Sequence, residues 1–386
     1  MSLQRAANGN RRGIVFLIRS LARGGAERQL VVLSQQLAAR GEAVTVLTFY
    51  AGGDFEAVLR DSGIRVWCLE KRSRWDVFAV LWKIRNAVRT VGADVIHSYL
   101  TDANVLAAAA KPLLGDVKLI WGVRASDMRW ELYDWRARGS FAVSRLLSRA
   151  ADAIVFNSQA GYEYHRSVGY RAKRMVVVPN GFDSDTFKPC PAERDRVRRE
   201  WGIHDNQRLV GLVSRLDPAK GHRSFLEAAS IVQRQHDNVT FAVVGGGESE
   251  AMRELVALSR RLGLADSVIW AGERSDMNAV YNALDLMVLA SESEGFPNVV
   301  GEAMASGLPC VVTPSGDSAM LVGDCGIAAS GTDPAALAEA IGEMLALDAG
   351  RFDRLRQSAR KRISQEFSVQ RLASQTEELL REVRSL

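Results

Sequence analysis

GIVFLIRSLARGGAERQLVVLSQQLAARGEAVTVLTF, residues 13–49, decides the fold. The apolar run GIVFLI (13–18) leads through the turn SLARGGAE (20–27) into an amphipathic stretch ending near Arg40, and a second apolar run follows at 43–49. That order predicts strand, helix and strand, a βαβ unit with parallel strands. The pattern starts afresh at LVGLVS (209–214), with a Lys-Gly turn, a helical stretch from about His222 to Gln235 and the strand VTFAVV at 239–244. Two such openings predict two parallel-sheet domains. Further strands fit at 95–100, 119–123, 153–158, 175–181, 268–272, 286–290 and 309–313. Each is short, apolar and bounded by turn residues, as buried parallel strands are.

The length of 386 residues suits two domains, taking roughly 150 residues for each. The expected boundaries are 1–185, 186–365 and a C-terminal helix, 366–386, that crosses back to the first domain. The charged, Pro-containing segment from Phe182 to Trp201 reads as the linker. Ligands of open parallel sheets bind beyond the carboxyl ends of the strands, so two such domains imply a central cleft.

Composition narrows the class further. With 47% hydrophobic and 25% charged residues the chain is not extensively disordered. No run approaches the roughly 18 uninterrupted apolar residues of a spanning helix. The polar start MSLQRAANGNRR lacks the apolar stretch of a secretory signal. Cys68, Cys190, Cys310 and Cys325 form no CxxC pair, which indicates neither a zinc site nor a disulfide framework. The expectation is a cytoplasmic protein.

Charge is uneven. Residues 1–185 hold 27 Lys and Arg against 17 Asp and Glu, a balance of +10; the remainder holds 23 against 28, which is −5. Arg124, Arg129, Arg136, Arg138, Arg145 and Arg149 cluster in the basic half. Such a surface can meet anionic lipid, a phosphorylated substrate or nucleic acid, or be a merely solvated face. Nucleic acid is set aside as a partner, and an anionic membrane surface on the inner face is the expectation.

The chemistry concentrates in SESEGFPNVVGEAMASGLPCVVT, residues 291–313. Seven residues separate Glu294 from Glu302, with Gly295, Phe296, Pro297 and Asn298 at the strand-to-helix turn. A helix starting near Pro297 presents free N–H groups to an anion such as a diphosphate. Glu302, about one turn inside, can accept from a ribose diol, and Glu294 can meet sugar hydroxyls. A helix cap with a chance second Glu, or the paired carboxylates of a glycosidase, are the other readings of the same pair. Arg215 and Lys220 in SRLDPAKGH follow the strand ending at Ser214. Cations fixed there stabilise charge developing on a departing diphosphate. By themselves they fit a surface turn equally well. GGGE (245–248) either approaches a ligand or makes an ordinary turn. Gly24 and Gly25 open the first helix, but the G-x-G-x-x-G spacing is missing, which disfavours a nicotinamide enzyme.

Taken in order, GGAE (24–27), VPNGFD (178–183), SRLDPAKG (214–221), GGGE (245–248) and the E-x7-E string resemble glycosyltransferase family 4 over nearly the whole chain. The resemblance implies an α/β GT-B fold, two Rossmann-like domains with parallel sheets facing the cleft. It further implies hexosyl transfer from a nucleotide diphosphate sugar, UDP ahead of GDP, to a saccharide or lipid-linked acceptor, as in polysaccharide biosynthesis. Retention at the anomeric carbon follows by a front-face route, the leaving phosphate helping to deprotonate the acceptor, with no metal and no cofactor. By resemblance Arg215 and Lys220 hold the diphosphate, Glu294 the donor sugar and Glu302 the ribose. Gly25 approaches the donor phosphates, and the turn at Gly272, Glu273 and Arg274 holds the base. Gly245, Gly295, Phe296, Asn298 and Val299 complete the donor set. DSD at 183–185 is taken as a turn rather than a metal motif. Many relatives carry a His in the loop after LIWGV, where this chain has Arg124, Ala125, Ser126 and Asp127. Gly24, His97, Arg124 and Asp127 are therefore the acceptor-site candidates, although His97 fits a satisfied core histidine as well. A nucleotide-sugar epimerase and a silent nucleotide-sugar-binding protein stay open as alternatives.

Overall fold

The structure is a computed structural model and describes residues 13–73, 76–124 and 135–386. The chain divides into two units, Met1–Gly181 with Val369–Leu386, and Phe182–Ser368.

Unit 1 contains β1 (Gly13–Ile18), α1 (Gly25–Ala39), β2 (Ala43–Thr48), α2 (Asp54–Asp61), β3 (Arg65–Cys68), α3 (Val77–Val91), β4 (Ala93–Tyr99), α4 (Thr101–Ala110), β5 (Lys118–Val123), α5 (Trp135–Leu147), β6 (Ala153–Phe156), α6 (Gln159–Ser167) and β7 (Arg174–Val177). Among the described residues its strands form one parallel sheet in the order β3-β2-β1-β4-β5-β6-β7. All six residues of β1 are buried, because parallel strands covered on both faces need apolar side chains on both. Residues of α1 and α2 fill the core on one face, and those of α3, α4 and α5 fill it on the other.

The final helix of the chain, α15 (Val369–Ser385), belongs to unit 1 and packs on α1. Leu372, Leu379, Leu380 and Val383 recur at helical spacing and enter the same core as α1. Arg384 grips Glu42 at 2.8 and 2.9 Å and Asp94 at 2.9 and 3.1 Å. Gly181 lies under this helix; a Cβ there would stand 2.9 Å from Leu372 Cβ, so only glycine lets α15 come so close.

Unit 2 contains α7 (Pro191–Glu200), β8 (Arg208–Val213), α8 (His222–Gln233), β9 (Val239–Val244), α9 (Ser249–Arg261), β10 (Val268–Gly272), α10 (Met277–Ala283), β11 (Leu286–Leu289), α11 (Asn298–Ala305), β12 (Cys310–Val312), α12 (Ser318–Val322), β13 (Ile327–Ala328), α13 (Pro334–Leu345) and α14 (Ala349–Glu366). Its sheet is again parallel, ordered β10-β9-β8-β11-β12-β13. The segment expected as a linker, Phe182–Trp201, is instead folded into this unit. Phe182 and Phe187 are core residues, and Arg198 pairs with Asp285 at 3.1 Å with both side chains buried. A buried charge persists only when paired, and that pairing ties α7 to the sheet. Asp183 accepts from the Asp185 N–H at 2.9 Å and from the Thr186 hydroxyl at 2.8 Å, which closes DSD into a turn.

Candidate functional site

In unit 2 the chemistry-bearing loops leave the carboxyl ends of β8, β9, β11 and β12. Behind β8 the chain runs through Arg215 into a 3-10 turn, Pro218–Lys220, capped by Asp217, whose side chain accepts from the Ala219 N–H at 2.9 Å. The Glu292 N–H donates to Ala219 O at 2.9 Å, which docks the loop behind β11 onto that turn. Lys220 and Glu294, 74 residues apart, thereby meet: Nζ donates to Glu294 Oε1 at 2.7 Å. Ser291 Oγ donates to the same oxygen at 2.7 Å, fixing the carboxylate from a second side. Arg215 is exposed and has no ion-pair partner among the described residues.

The helix α11 starts at Asn298 with Pro297 as its N-cap and no side-chain cap, which suits its first turn to an anion. The Asp317 N–H donates to Gly295 O at 3.0 Å and Thr313 Oγ1 to Ser291 O at 2.6 Å, so the loop behind β12 braces the Glu294–Gly295 turn. Glu302 is buried one turn into α11, where Tyr281 Oη donates to its Oε2 at 2.9 Å.

The GGGE loop lies against the exit of β8. Gly245 has φ +145° and a Cβ there would stand 1.8 Å from Ser214 O, so the glycine is demanded by the protein's own backbone. His222, at the start of α8, meets Ser214 Oγ through Nε2 at 3.2 Å, and burial lowers its pKa to about 4.

Two predicted donor residues have their side chains engaged within unit 2. The Phe296 ring is buried, stacked on Phe182 at 6.2 Å and tilted on Phe367 at 5.5 Å, so it anchors the turn and offers no side-chain surface. The Arg274 guanidinium is committed to Asp276 at 2.9 Å and to Glu200, pairings that raise its pKa, and it lies over Trp201. Gly272 ends β10 with positive φ, and the Glu273 side chain borders Gly246. Val299 is half-buried against the core. Ser291, Tyr281, His222 and Asp317 escaped the sequence reading. For Asp317 the Ser-Gly turn behind a strand was the available signal; Tyr281 reaches Glu302 only through folding.

In unit 1, Gly24 is the extended N-cap of α1, again without a side-chain cap, and Gly25 is the first helical residue. Gln29 on α1 exchanges two hydrogen bonds with Gly181, both 3.0 Å, anchoring the PNG segment. Asn180 Oδ1 accepts from Arg124 Nη1 at 2.8 Å, and the guanidinium sits 4.5 Å from the Tyr99 ring centre. His97 is not at the surface. It is 1% exposed, packed against Phe16 and Tyr99, and both its ring nitrogens lack partners among the described residues. Burial, with Arg124 adding to it, lowers its pKa to about 3, so the ring is neutral at ordinary pH. Of the two readings of His97, the core position holds, but no described residue satisfies the ring. Asp127 lies outside the described residues.

Residues 23–186 match the family described as Glycosyltransferase Family 4, and residues 207–347 match Glycosyl transferases group 1. A D-inositol 3-phosphate glycosyltransferase of Corynebacterium urealyticum is 31% identical over 207 residues, 51% of this chain and 47% of that protein. A GDP-mannose-dependent alpha-(1-6)-phosphatidylinositol monomannoside mannosyltransferase of Mycolicibacterium smegmatis is 29% identical over 52% of this chain and 55% of its own. The chain thus spans about half the length of these two relatives. The crystal structure of Anabaena HepE in complex with UDP is similar with TM-score 0.84 and 27% identity, covering 96% of this chain and 100% of that one. The same protein has also been solved with UDP-glucose.

Proposed function

Because the chain belongs to glycosyltransferase family 4 and is a glycosyltransferase of the GT-B fold, we propose that it transfers a hexosyl group from a UDP-sugar to a saccharide or lipid-linked acceptor, with retention and without a metal. The observation that carries this reading is the Lys220–Glu294–Ser291 network at the uncapped start of α11. In the proposed step the bond from the anomeric carbon to the diphosphate breaks, its electron pair passing to a β-phosphate oxygen. The acceptor oxygen bonds the same carbon from the same face, and its proton goes to the leaving phosphate. Arg215, Lys220 and the first N–H groups of α11 receive the growing negative charge, the task a metal ion performs elsewhere. Glu294 Oε1 already accepts two hydrogen bonds, which blunts it as a covalent nucleophile and favours the front-face route. Its role is to hold Lys220 and meet donor hydroxyls.

Glu302, steadied by Tyr281, takes the ribose, and the base contact passes from the Arg274 side chain to the backbone around Gly272 and Glu273. The UDP complexes of Anabaena HepE support uridine, while the mannosyltransferase relative names GDP-mannose. Arg124 is the proposed acceptor contact, suited to an anionic group.

A thermal-shift panel of UDP, GDP, ADP and NAD tests the base, since a ligand that binds only the folded state raises Tm. UDP is expected to give the largest shift, and a shift with GDP alone overturns the uridine assignment. NMR of the product's anomeric proton tests retention, which an inverted product would overturn.

A further inference from the structure

The outward side of α3, α4 and α5 in unit 1 is an unusual surface. These helices cover one face of the sheet with α4 packed between the other two, and their inner sides supply Val80, Ile84, Ala103, Ala107 and Phe141 to the core. Outward on α3, Phe78, Trp82, Arg85 and Arg89 follow one another at helical spacing. Phe78 is 86% exposed and Trp82 61%, values that no packing need explains. On α5, Leu146 is 67% exposed, with Val143 and Arg145 also turned to solvent, as is Arg149 in the 3-10 turn that follows. Neither α3 nor α5 contains an Asp or Glu, and each contains three Lys or Arg. On α4 the one acid, Asp102, is paired with Arg19 at 3.5 Å. Large apolar and cationic side chains thus stand exposed together on α3 and α5, on either side of an α4 that adds no cation, where an ordinary solvated face mixes both signs and exposes few large apolar groups.

We propose that this face of α3, α4 and α5 docks the protein on an anionic lipid bilayer. Charge complementarity selects the occupant. A second copy of the same face would bring like charges together, whereas acidic headgroups attract the arginines while Phe78, Trp82 and Leu146 enter the interface between headgroups and acyl chains. Among the described residues no helix is long and apolar enough to cross a membrane, so docking would be peripheral and reversible. The surface is separate from the residues of the donor site and does not depend on which sugar is transferred.

The test is flotation of the full chain with phosphatidylcholine vesicles, with and without roughly 30% phosphatidylglycerol, at about 50 mM and about 300 mM salt. Wild type should prefer anionic vesicles by at least about tenfold at low salt and lose that preference at high salt. The double variants Phe78→Ser/Trp82→Ser and Arg85→Glu/Arg89→Glu should each lower partition by about tenfold with the UDP-induced Tm shift unchanged. Val143→Ser/Leu146→Ser, on another helix, keeps the test open if the first variant fails to fold. Equal partition onto neutral and anionic vesicles, or variants that bind like wild type, overturns the proposal. So does a concentration-dependent dimer that Phe78→Ser/Trp82→Ser dissolves, since the face would then join protein to protein. A missing UDP shift in wild type counts against the donor reading alone and leaves the vesicle result standing.

Discussion

The two units place polar groups at the carboxyl ends of similar parallel sheets and treat them in opposite ways. In unit 2 three of the charges meet partners: Lys220 has Glu294, Glu294 has Ser291, and Glu302 has Tyr281, while Arg215 stands exposed. In unit 1 the His97 ring nitrogens, Arg124 Nε and Asn157 Oδ1 are buried without partners among the described residues. Unsatisfied buried groups cost about 1–3 kcal/mol each. Unit 2 thus holds its polar groups in place with its own side chains, while these groups of unit 1 are left for a polar ligand, water or residues outside the described ones to satisfy.

The largest expected effect tests the organised side. Lys220→Ala removes a cation and uncovers the Glu294 carboxylate, so kcat should fall about a hundredfold to a thousandfold, about 2.7–4 kcal/mol. Adding Glu294→Gln should recover part of that loss if the pair acts as a unit, and steady-state rates of the double-mutant cycle decide it. A kcat near wild type for Lys220→Ala would detach SRLDPAKG from the diphosphate.

Glycine substitutions come next. Gly245→Ala forces a Cβ to 1.8 Å from Ser214 O, whereas Gly181→Ala meets Leu372 Cβ at 2.9 Å. Urea unfolding should show about 2–3 kcal/mol lost for the first and about 1–2 for the second. The reverse order would mean that the β8 exit yields more readily than α15.

Acid should strain both units through histidines held neutral. His97 and His222 have folded pKa values of about 3 and about 4 against an ordinary 6.5. Between those values and 6.5 the unfolded chain binds more protons, so stability falls as pH drops through this window and is insensitive to both groups above it. The slope should reach about 1.4 kcal/mol per pH unit for each histidine. Denaturant midpoints of wild type and His97→Gln at pH values from about 7 to about 5 should differ by one histidine's share of that slope. Equal slopes would place the His97 ring in a wetter setting than its burial implies.

The smallest contrast is between two tyrosines. Tyr281→Phe takes a donor from buried Glu302 and should raise the donor KM about fivefold, about 1 kcal/mol, with kcat little changed. Tyr99→Phe removes a buried hydroxyl whose ring lies under the Arg124 guanidinium and should leave stability within about 0.5 kcal/mol of wild type or raise it. A larger loss for Tyr99→Phe would show that its hydroxyl is hydrogen-bonded, to Arg124 or to water.

Most of the fold was legible because buried parallel strands are continuous apolar runs, and GIVFLI, VTFAVV and LMVLA announce themselves. The edge strand β3, RVWC, did not: it is four residues long and alternates exposed with buried positions. The segment from Phe182 to Trp201 misled for a related reason. Its charges suggest solvent, yet Arg198 is buried because Asp285, 87 residues away, neutralises it.

The sequence by itself determined that there are two parallel-sheet units and that Lys220, Glu294 and Glu302 stand in turns or first helical turns just behind strands, since periodicity and turn chemistry are local. Tertiary structure alone decided which groups meet. It paired Lys220 with Glu294 across 74 residues and Tyr281 with Glu302 across 21. It also turned Phe296 inward, tied Arg274 to Glu200 and Asp276, and buried His97 beneath Tyr99 and Arg124. Contact between side chains depends on how strands are ordered in a sheet, and no local spacing encodes that order.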